Sequence, residues 1–240
     1  MHLKKVSLHP DKYPTQDHYP FNLDLFQKTQ SILLESPVTF FVGENGSGKS
    51  TLLEAITRKC GIYIWQGVYR PRFNASPYEQ DLYKTLSIEW ANGRKVSGSF
   101  FGSQIFNNFA QILDEWLTMD PGLLKYFGGK SLISQSHGQS LMAFFKSRLQ
   151  IKGLYLLDEP ETALSPKSQL ELLDLLKEAS LMGQAQLVIA THSPILLACP
   201  DAQIITFDEI PVKRIDYKET DHYRIYKEFM ADPDKFLPKK

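Results

Sequence analysis

The chain has 240 residues, 42% of them hydrophobic, and its 27 basic side chains balance 27 acidic ones. That length can bury one large core or two small ones, and a formal charge of zero makes no demand for nucleic acid or an anionic membrane as partner. Two cysteines, Cys60 and Cys199, are too few for a disulfide framework and lack metal-ligand spacing, so they read as small buried thiols in a reducing compartment.

Residues 3–8 read as a first strand and residues 10–22 as a polar, aromatic-rich loop. The N-terminus has neither an apolar h-region nor a cleavage site, which predicts a cytoplasmic chain. No apolar stretch reaches the ~20 residues that a membrane helix needs, and the richest one, 187–199, is interrupted by Thr191, His192, Ser193 and Pro194.

The run Pro37-Val38-Thr39-Phe40-Phe41-Val42 predicts a buried strand. After it, Gly43, Glu44, Asn45, Gly46, Ser47, Gly48, Lys49, Ser50 and Thr51 fit G-x-x-x-x-G-K-[ST], and Leu52-Leu53-Glu54-Ala55-Ile56 continues as a helix that Gly61 stops. A strand, a glycine loop and a helix with free N–H groups are what a phosphate-binding loop requires. Glycines let the backbone curl around the phosphates, Lys49 supplies a charge for the β- and γ-phosphates, and the Ser50 hydroxyl suits the shell of Mg²⁺.

Residues 62–65 read as a strand. Residues 86–90 and 94–101 flank Ala91-Asn92-Gly93 as the arms of a hairpin. Helical periodicity covers 104–117 and again 139–149. A strand over 154–157 leads into Asp158-Glu159-Pro160, and a helix over 166–182 starts with Ser165 as N-cap and Pro166 in its first turn. Residues 187–190 form another buried strand, 204–215 an edge hairpin and 223–230 a terminal helix. Strands alternating with helices predict an α/β fold with a largely parallel sheet.

The apolar strand ending in Asp158 and Glu159 brings two acids to the carboxyl edge of such a sheet, beside the phosphate loop. Asp158 is placed to hold Mg²⁺ and Glu159 to polarise a water that attacks the γ-phosphate. His192, directly after the strand 187–190, arrives at the same edge and is a candidate donor to that phosphate. Ser134-Gln135-Ser136-His137-Gly138-Gln139-Ser140 opens a helix. By itself it reads as a cap, or as an anion site at a helix start.

In content and in order these motifs resemble the ABC-type ATPases. Gly43 to Thr51 looks like Walker A, and the strand ending in Asp158 and Glu159 like Walker B with its catalytic glutamate. Ser136-His137-Gly138-Gln139 is similar to the signature S-G-G-Q, with His137 in place of the first glycine. Ala163-Leu164-Ser165-Pro166 stands at the D-loop position and His192 at the switch-histidine position. Gln104 fits the Q-loop best, since Gln66 follows the phosphate loop too closely. The wording of the motifs, and Ser165 where transporters usually place an aspartate, look more like a compact bacterial non-transporter group related to SMC and recombination ATPases.

The resemblance implies a P-loop fold with a mostly parallel core sheet, an antiparallel β portion and a helical signature subdomain. It implies one ATPase domain over 1–240, with approximately 1–100 and 150–240 as the nucleotide-binding core and 101–149 as the subdomain. It implies Mg-dependent ATP hydrolysis with Glu159, His192 and Lys49 in catalytic roles and Ser50, Asp158 and Gln104 on the metal. Ser136, Gly138 and Gln139 would act in trans, across an ATP-dependent homodimer. Tyr13, Tyr19, Phe21 and Phe26 are candidates to stack on adenine. The output could be the switching of an unidentified protein partner or action on nucleic acid, which the charge does not support. The other readings are the ATPase subunit of a membrane transporter and an ATP-dependent regulatory module with slow turnover.

Overall fold

A computed structural model describes residues 1–64, 76–102, 122 and 137–237. Its central sheet has six strands in the order β5-β6-β7-β3-β8-β9: β3 is Val38–Val42, β5 Gly98–Gly102, β6 Gly153–Asp158, β7 Ala185–Ala190, β8 Gln203–Thr206 and β9 Lys213–Ile215. The first five strands in that order run parallel and β9 joins the edge antiparallel to β8. A second, antiparallel sheet has the order β2-β1-β4, with β1 Leu3–Leu8, β2 Ser31–Leu33 and β4 Leu86–Trp90. The predicted α/β class, the parallel core and the antiparallel portion are all present.

Alternation along the parallel strands sorts their side chains into two cores. Val38, Phe40 and Val42 of β3 face one side with Leu187 and Ile189 of β7; Phe41 faces the other with Val188 and Ala190. The first side is covered by α3 (His137–Arg148), α4 (Pro166–Met182) and α5 (Pro194–Leu197), which contribute Leu141, Phe145, Leu172, Leu176 and Leu196. The second is covered by α2 (Lys49–Lys59) and the antiparallel sheet, which contribute Leu52, Leu53, Ile56, Leu3 and Val6. A short helix α1 (Asp24–Lys28) adds Leu25 and Phe26 to that second core.

Two buried glutamines tie the sheets together. Gln186 Oε1 accepts from the His2 and Leu3 N–H groups at 2.7 Å each, and its Nε2 donates to Leu3 O at 2.8 Å. Gln203 repeats the device farther along, accepting from Glu35 N–H at 2.9 Å and donating to Leu33 O at 3.0 Å. A neutral side-chain amide carries a donor and an acceptor on separate atoms, so it can satisfy an N–H and a C=O of a neighbouring strand at once in a dry interior.

Local signals set most element ends as predicted. Ser165 caps α4, its Oγ accepting from Ser168 N–H at 3.2 Å, with Pro166 in the first turn and Gly183 at the C-cap with φ 65°. The terminal helix α6 spans Asp221–Ala231 and is capped by Thr220. Both cysteines are buried and free, and burial pushes their thiols up, to about 12 for Cys60 and about 11 for Cys199.

Two expectations are corrected. Residues 62–64 are not a strand: Ile62 N–H donates to Thr57 O and Gly61 N–H to Arg58 O, so Ile62 closes the end of α2 and enters the core as its hydrophobic stop. Residue 65 of that expected strand lies outside the described residues. Nor do 86–90 and 94–101 form a hairpin. Their turn exists, with Gly93 N–H on Trp90 O, but β4 pairs with β1 while β5 pairs in parallel with β6 in the other sheet. Gly98 makes that crossing possible, since a Cβ there would lie 2.1 Å from Leu154 O. The helix expected over 104–117 lies outside the described residues.

Candidate functional site

Parallel register brings the motifs to one edge. Phe41 pairs with Ala190, Ala190 with Asp158, and Val42 with Thr206, so the four strands end within one residue of a common level and residues 43, 159, 191 and 207 leave the sheet at the same edge. The glycine loop follows β3 and ends on Gly48, the N-cap of α2, in the left-handed region at φ 100°. Gly43, at φ 144°, approaches Asp208 so closely that a Cβ would lie 2.9 Å from its Oδ1. Asp208 in turn accepts from the Glu44 N–H at 2.7 Å. Asn45 and Gly46 at the loop crest are exposed and Ser47 is half-buried.

Lys49 is buried at the base of this loop. Its Nζ donates to Gly43 O at 2.7 Å and Glu44 O at 2.8 Å, and reaches Ser47 Oγ at 3.5 Å. Burial lowers its pKa, opposed by Asp208, Glu159, Asp158 and Glu44. The next residue, Ser50, donates from Oγ to Asp158 Oδ1 at 2.9 Å, joining α2 to the end of β6. Burial raises the Asp158 carboxyl to about 7, against the lowering effect of that hydrogen bond. Thr51, one position on, meets the Tyr19 hydroxyl.

Glu159 occupies the left-handed region at φ 47°, a conformation costly for a side chain this large, and its N–H donates to Ala190 O at 2.9 Å. His192 Nε2 lies 3.7 Å from Glu159 Oε1 and has no hydrogen-bond partner among the described residues. Its backbone N–H donates to Glu161 Oε1 at 2.7 Å. Burial lowers the His192 pKa, with Lys49 adding to the effect and Glu159 opposing it. A lysine, two acids and an imidazole thus gather at one glycine loop.

Of the expected trans residues, Gly138 lies in the first turn of α3, where a Cβ would meet Ala163 O at 3.0 Å and then Leu164. Its nearest neighbours therefore belong to the 163–166 loop and not to the phosphate loop. Gln139 is exposed one residue later. Ser136 and Gln104 lie outside the described residues. Among the aromatics, Phe21 and Phe26 are fully buried, and Tyr13 donates its hydroxyl to Phe26 O at 2.9 Å with its pKa pushed up to about 12 by burial. Tyr19 alone of the four is exposed, at 38%, and stands beside the start of α2.

Several residues of the site have no signature in the sequence. Asp208 follows β8 as an ordinary turn acid, and Glu161 reads as one more acid after Pro160. Gln169 carries no motif either, yet its Oε1 accepts from Ser193 Oγ at 2.6 Å while its Nε2 donates to Leu164 O at 3.1 Å. The acid repeated after Pro160 was the one available hint. The others depend on which elements become neighbours.

A phosphate loop on β3, an acid pair ending β6 and a histidine after β7, on a parallel sheet with an antiparallel companion, are the arrangement of the ABC-type P-loop ATPases, enzymes that bind and hydrolyse ATP. Known proteins agree. The family described as "AAA domain, putative AbiEii toxin, Type IV TA system" matches residues 139–198, and one described as "AAA domain" matches residues 21–61. The thiamine import ATP-binding protein ThiQ of Ruegeria sp. (strain TM1040) is 29% identical over 164 residues, 64% of this chain and 69% of that protein. Among solved structures, cbiO1 from Clostridium perfringens, part of the ABC transporter complex cbiONQ, superposes with a TM-score of 0.50 at 19% identity, covering 95% of each chain. An SmcHead bound to the C-winged helix domain of ScpA gives a TM-score of 0.51 at 15% identity, covering 90% of this chain and 98% of that one. The fold is therefore common to transporter ATPases and SMC heads. Among the described residues no helix is long and apolar enough to cross a membrane.

Proposed function

We propose that this ATPase is a cytoplasmic switch that dimerises around ATP and separates on hydrolysis, with residues 1–240 forming one ATPase domain and 101–149 its signature subdomain. The observation that carries the reading is the convergence of these side chains at one sheet edge: Ser50 Oγ on Asp158 at 2.9 Å, and Glu159 Oε1 3.7 Å from His192 Nε2, beside the loop that holds Lys49. The triphosphate would take the N–H groups of residues 43–51, and Lys49 would exchange the carbonyls of Gly43 and Glu44 for β- and γ-phosphate oxygens.

Ser50 and Asp158 fit a Mg²⁺ ion. Both offer hard oxygen donors already 2.9 Å apart, and a divalent cation would relieve the burial that raises Asp158. Gln104 would complete the protein's share of the shell, with phosphate and water supplying the rest. When bound, the ion supplies charge neutralisation at the phosphates. Glu159, held in a strained backbone conformation, would orient and deprotonate the attacking water, and His192 would donate from its unpartnered Nε2 to the γ-phosphate. Tyr19 is the aromatic best placed to lie against the base.

Ser136, Gly138 and Gln139 of a second copy would close over that γ-phosphate. Gly138 supports this division of labour, because its own-chain neighbours are the 163–166 loop and not the phosphate loop. ATP then favours the dimer only through γ-phosphate contacts, so cleavage removes the differential affinity that holds the halves together.

Glu159→Gln tests the reading. Turnover should fall roughly 100- to 10,000-fold, and the variant should elute as a dimer from a sizing column equilibrated with ATP and Mg²⁺. A strictly monomeric variant overturns the sandwich. The alternative, a transporter ATPase subunit, draws support from the import ATP-binding relative, while Ser165 and the toxin named in the matching family's description favour a free-standing switch. Co-purification of Glu159→Gln with a membrane-embedded protein would decide for transport.

A further inference from the structure

The terminal helix brings a second histidine to the site. His222, in the first turn of α6, places Nε2 3.0 Å from His192 Nδ1, with ring centroids 5.2 Å apart and planes at 49°. Two ring nitrogens at that distance share one proton, so one imidazole donates and the other accepts. If His222 donates, His192 carries its own proton on Nε2. If His192 donates, its Nε2 is a bare acceptor, facing the carboxylate of Glu159 at 3.7 Å with no proton to offer a phosphate. The first arrangement alone lets His192 donate where phosphate charge develops.

The placement of His222 is built, not incidental. Thr220, almost fully buried, accepts from Tyr223 N–H at 3.2 Å and donates to Tyr217 O at 2.7 Å, fixing the start of α6. Tyr217 donates its hydroxyl to Pro194 O at 3.0 Å, two residues beyond His192, and packs at a tilt against Tyr223 with centroids 4.8 Å apart. Asp216 and Glu219 close the preceding turn as a capping box. The segment 216–223 is thereby clamped to the loop that carries His192.

The electrostatics suit a neutral pair. Burial lowers the pKa of both rings. Lys49 lowers His192 further, and His192 and then Lys49 lower His222, while Asp208 and Glu44 oppose both and Glu159 opposes the shift of His192.

We propose that His222 is a positioning residue for ATP hydrolysis, donating from Nε2 to His192 Nδ1 so that the His192 Nε2–H is held toward Glu159 and the terminal phosphate. This rests on the reading of His192 as the γ-phosphate donor. It makes α6 part of the catalytic apparatus, and no motif in the sequence marks it as such.

The test combines kinetics with a tautomer measurement. In ¹⁵N-labelled protein, long-range ¹H–¹⁵N spectra, assigned by the resonances lost in His192→Gln, should show His192 of the wild type as the Nε2–H tautomer. His222→Phe, which keeps the ring and removes the hydrogen bond, should mix the tautomers and lower kcat roughly 10- to 100-fold, the range seen when an orienting partner of a functional histidine is lost, with KM for ATP changed less than about twofold. His222→Gln, whose amide N–H can donate, should recover most of that loss. An Nδ1–H tautomer in the wild type overturns the proposal without recourse to any variant, and so does unchanged kcat in a folded His222→Phe while His192→Ala is inactive. Full turnover in His192→Ala would instead sink the parent reading of His192, with the tautomer still reporting on His222.

Discussion

Ser193 Oγ donates to Gln169 Oε1 at 2.6 Å, and through Gln169 Nε2 the link continues to Leu164 O. The loop at 163–166 is thus fastened, inside one chain, to the residue beside His192. Ser193 also caps α5, accepting from Leu196 N–H at 3.2 Å, so its hydroxyl serves two elements at once. In the proposed dimer the first loop would feel the second copy while the second loop would touch phosphate. Gln169 joins those two loops through side-chain hydrogen bonds, beside the bond from His192 N–H to Glu161 Oε1.

Gln169→Leu should keep ATP binding within about twofold and lower turnover roughly 3- to 10-fold, the loss expected when about 1 kcal/mol of hydrogen bonding leaves a positioning link. Ser193→Ala loses the cap as well and should cost about 0.5–2 kcal/mol of stability in addition. A double-mutant cycle on turnover should give a coupling energy near 1 kcal/mol. Strict additivity would mean that the link carries nothing.

Asp158 sets a pH dependence with a definite sign. Burial holds its carboxyl at about 7, above the ordinary aspartate value of 3.8. The nucleotide-free protein therefore holds a proton there that the unfolded chain has lost, and stability attributable to this group falls as pH rises from about 4 to about 7. Asp158→Asn should flatten that decline in chemical denaturation curves taken across the same range. The linked expectation is that Mg²⁺ uptake with ATP releases a proton below pH 7. Calorimetry in two buffers of different ionisation enthalpy should detect it in the wild type and not in the variant.

Gly98→Ala should be among the most damaging small substitutions away from the nucleotide. A Cβ would sit 2.1 Å from Leu154 O and 2.6 Å from Ile62 Cδ1, and the first of these is backbone that cannot give way without breaking the β5–β6 pairing. A loss of about 2–4 kcal/mol, or failure to yield folded protein, is expected. Gly93→Ala makes a useful contrast, since its φ of 62° strains the turn although open space surrounds the position. It should cost only about 1 kcal/mol. Equal thermal midpoints for the two variants would refute the close-packing account.

The sequence by itself determined whatever depends on a few consecutive residues. The glycine loop and the helix it opens, the Ser165-Pro166 start of α4, the strand ending in Asp158 and Glu159, and His192 after an apolar run are local instructions, written in backbone freedom, caps and periodicity. Two readings failed where local signals were ambiguous. An apolar Ile62-Tyr63-Ile64 can end a helix as well as begin a strand, and a turn at 91–93 bends the chain without deciding which strand its arms will join.

Tertiary structure decided the pairings. Ser50 meets Asp158 across 108 positions because β3 and β6 both flank β7 in parallel register. Gln186 meets Leu3 across 183, and His192 meets His222 only because Tyr217 and Thr220 seat α6 on its loop. Such contacts follow from strand order and layer packing, which distribute burial over the whole chain, so no window of sequence contains them.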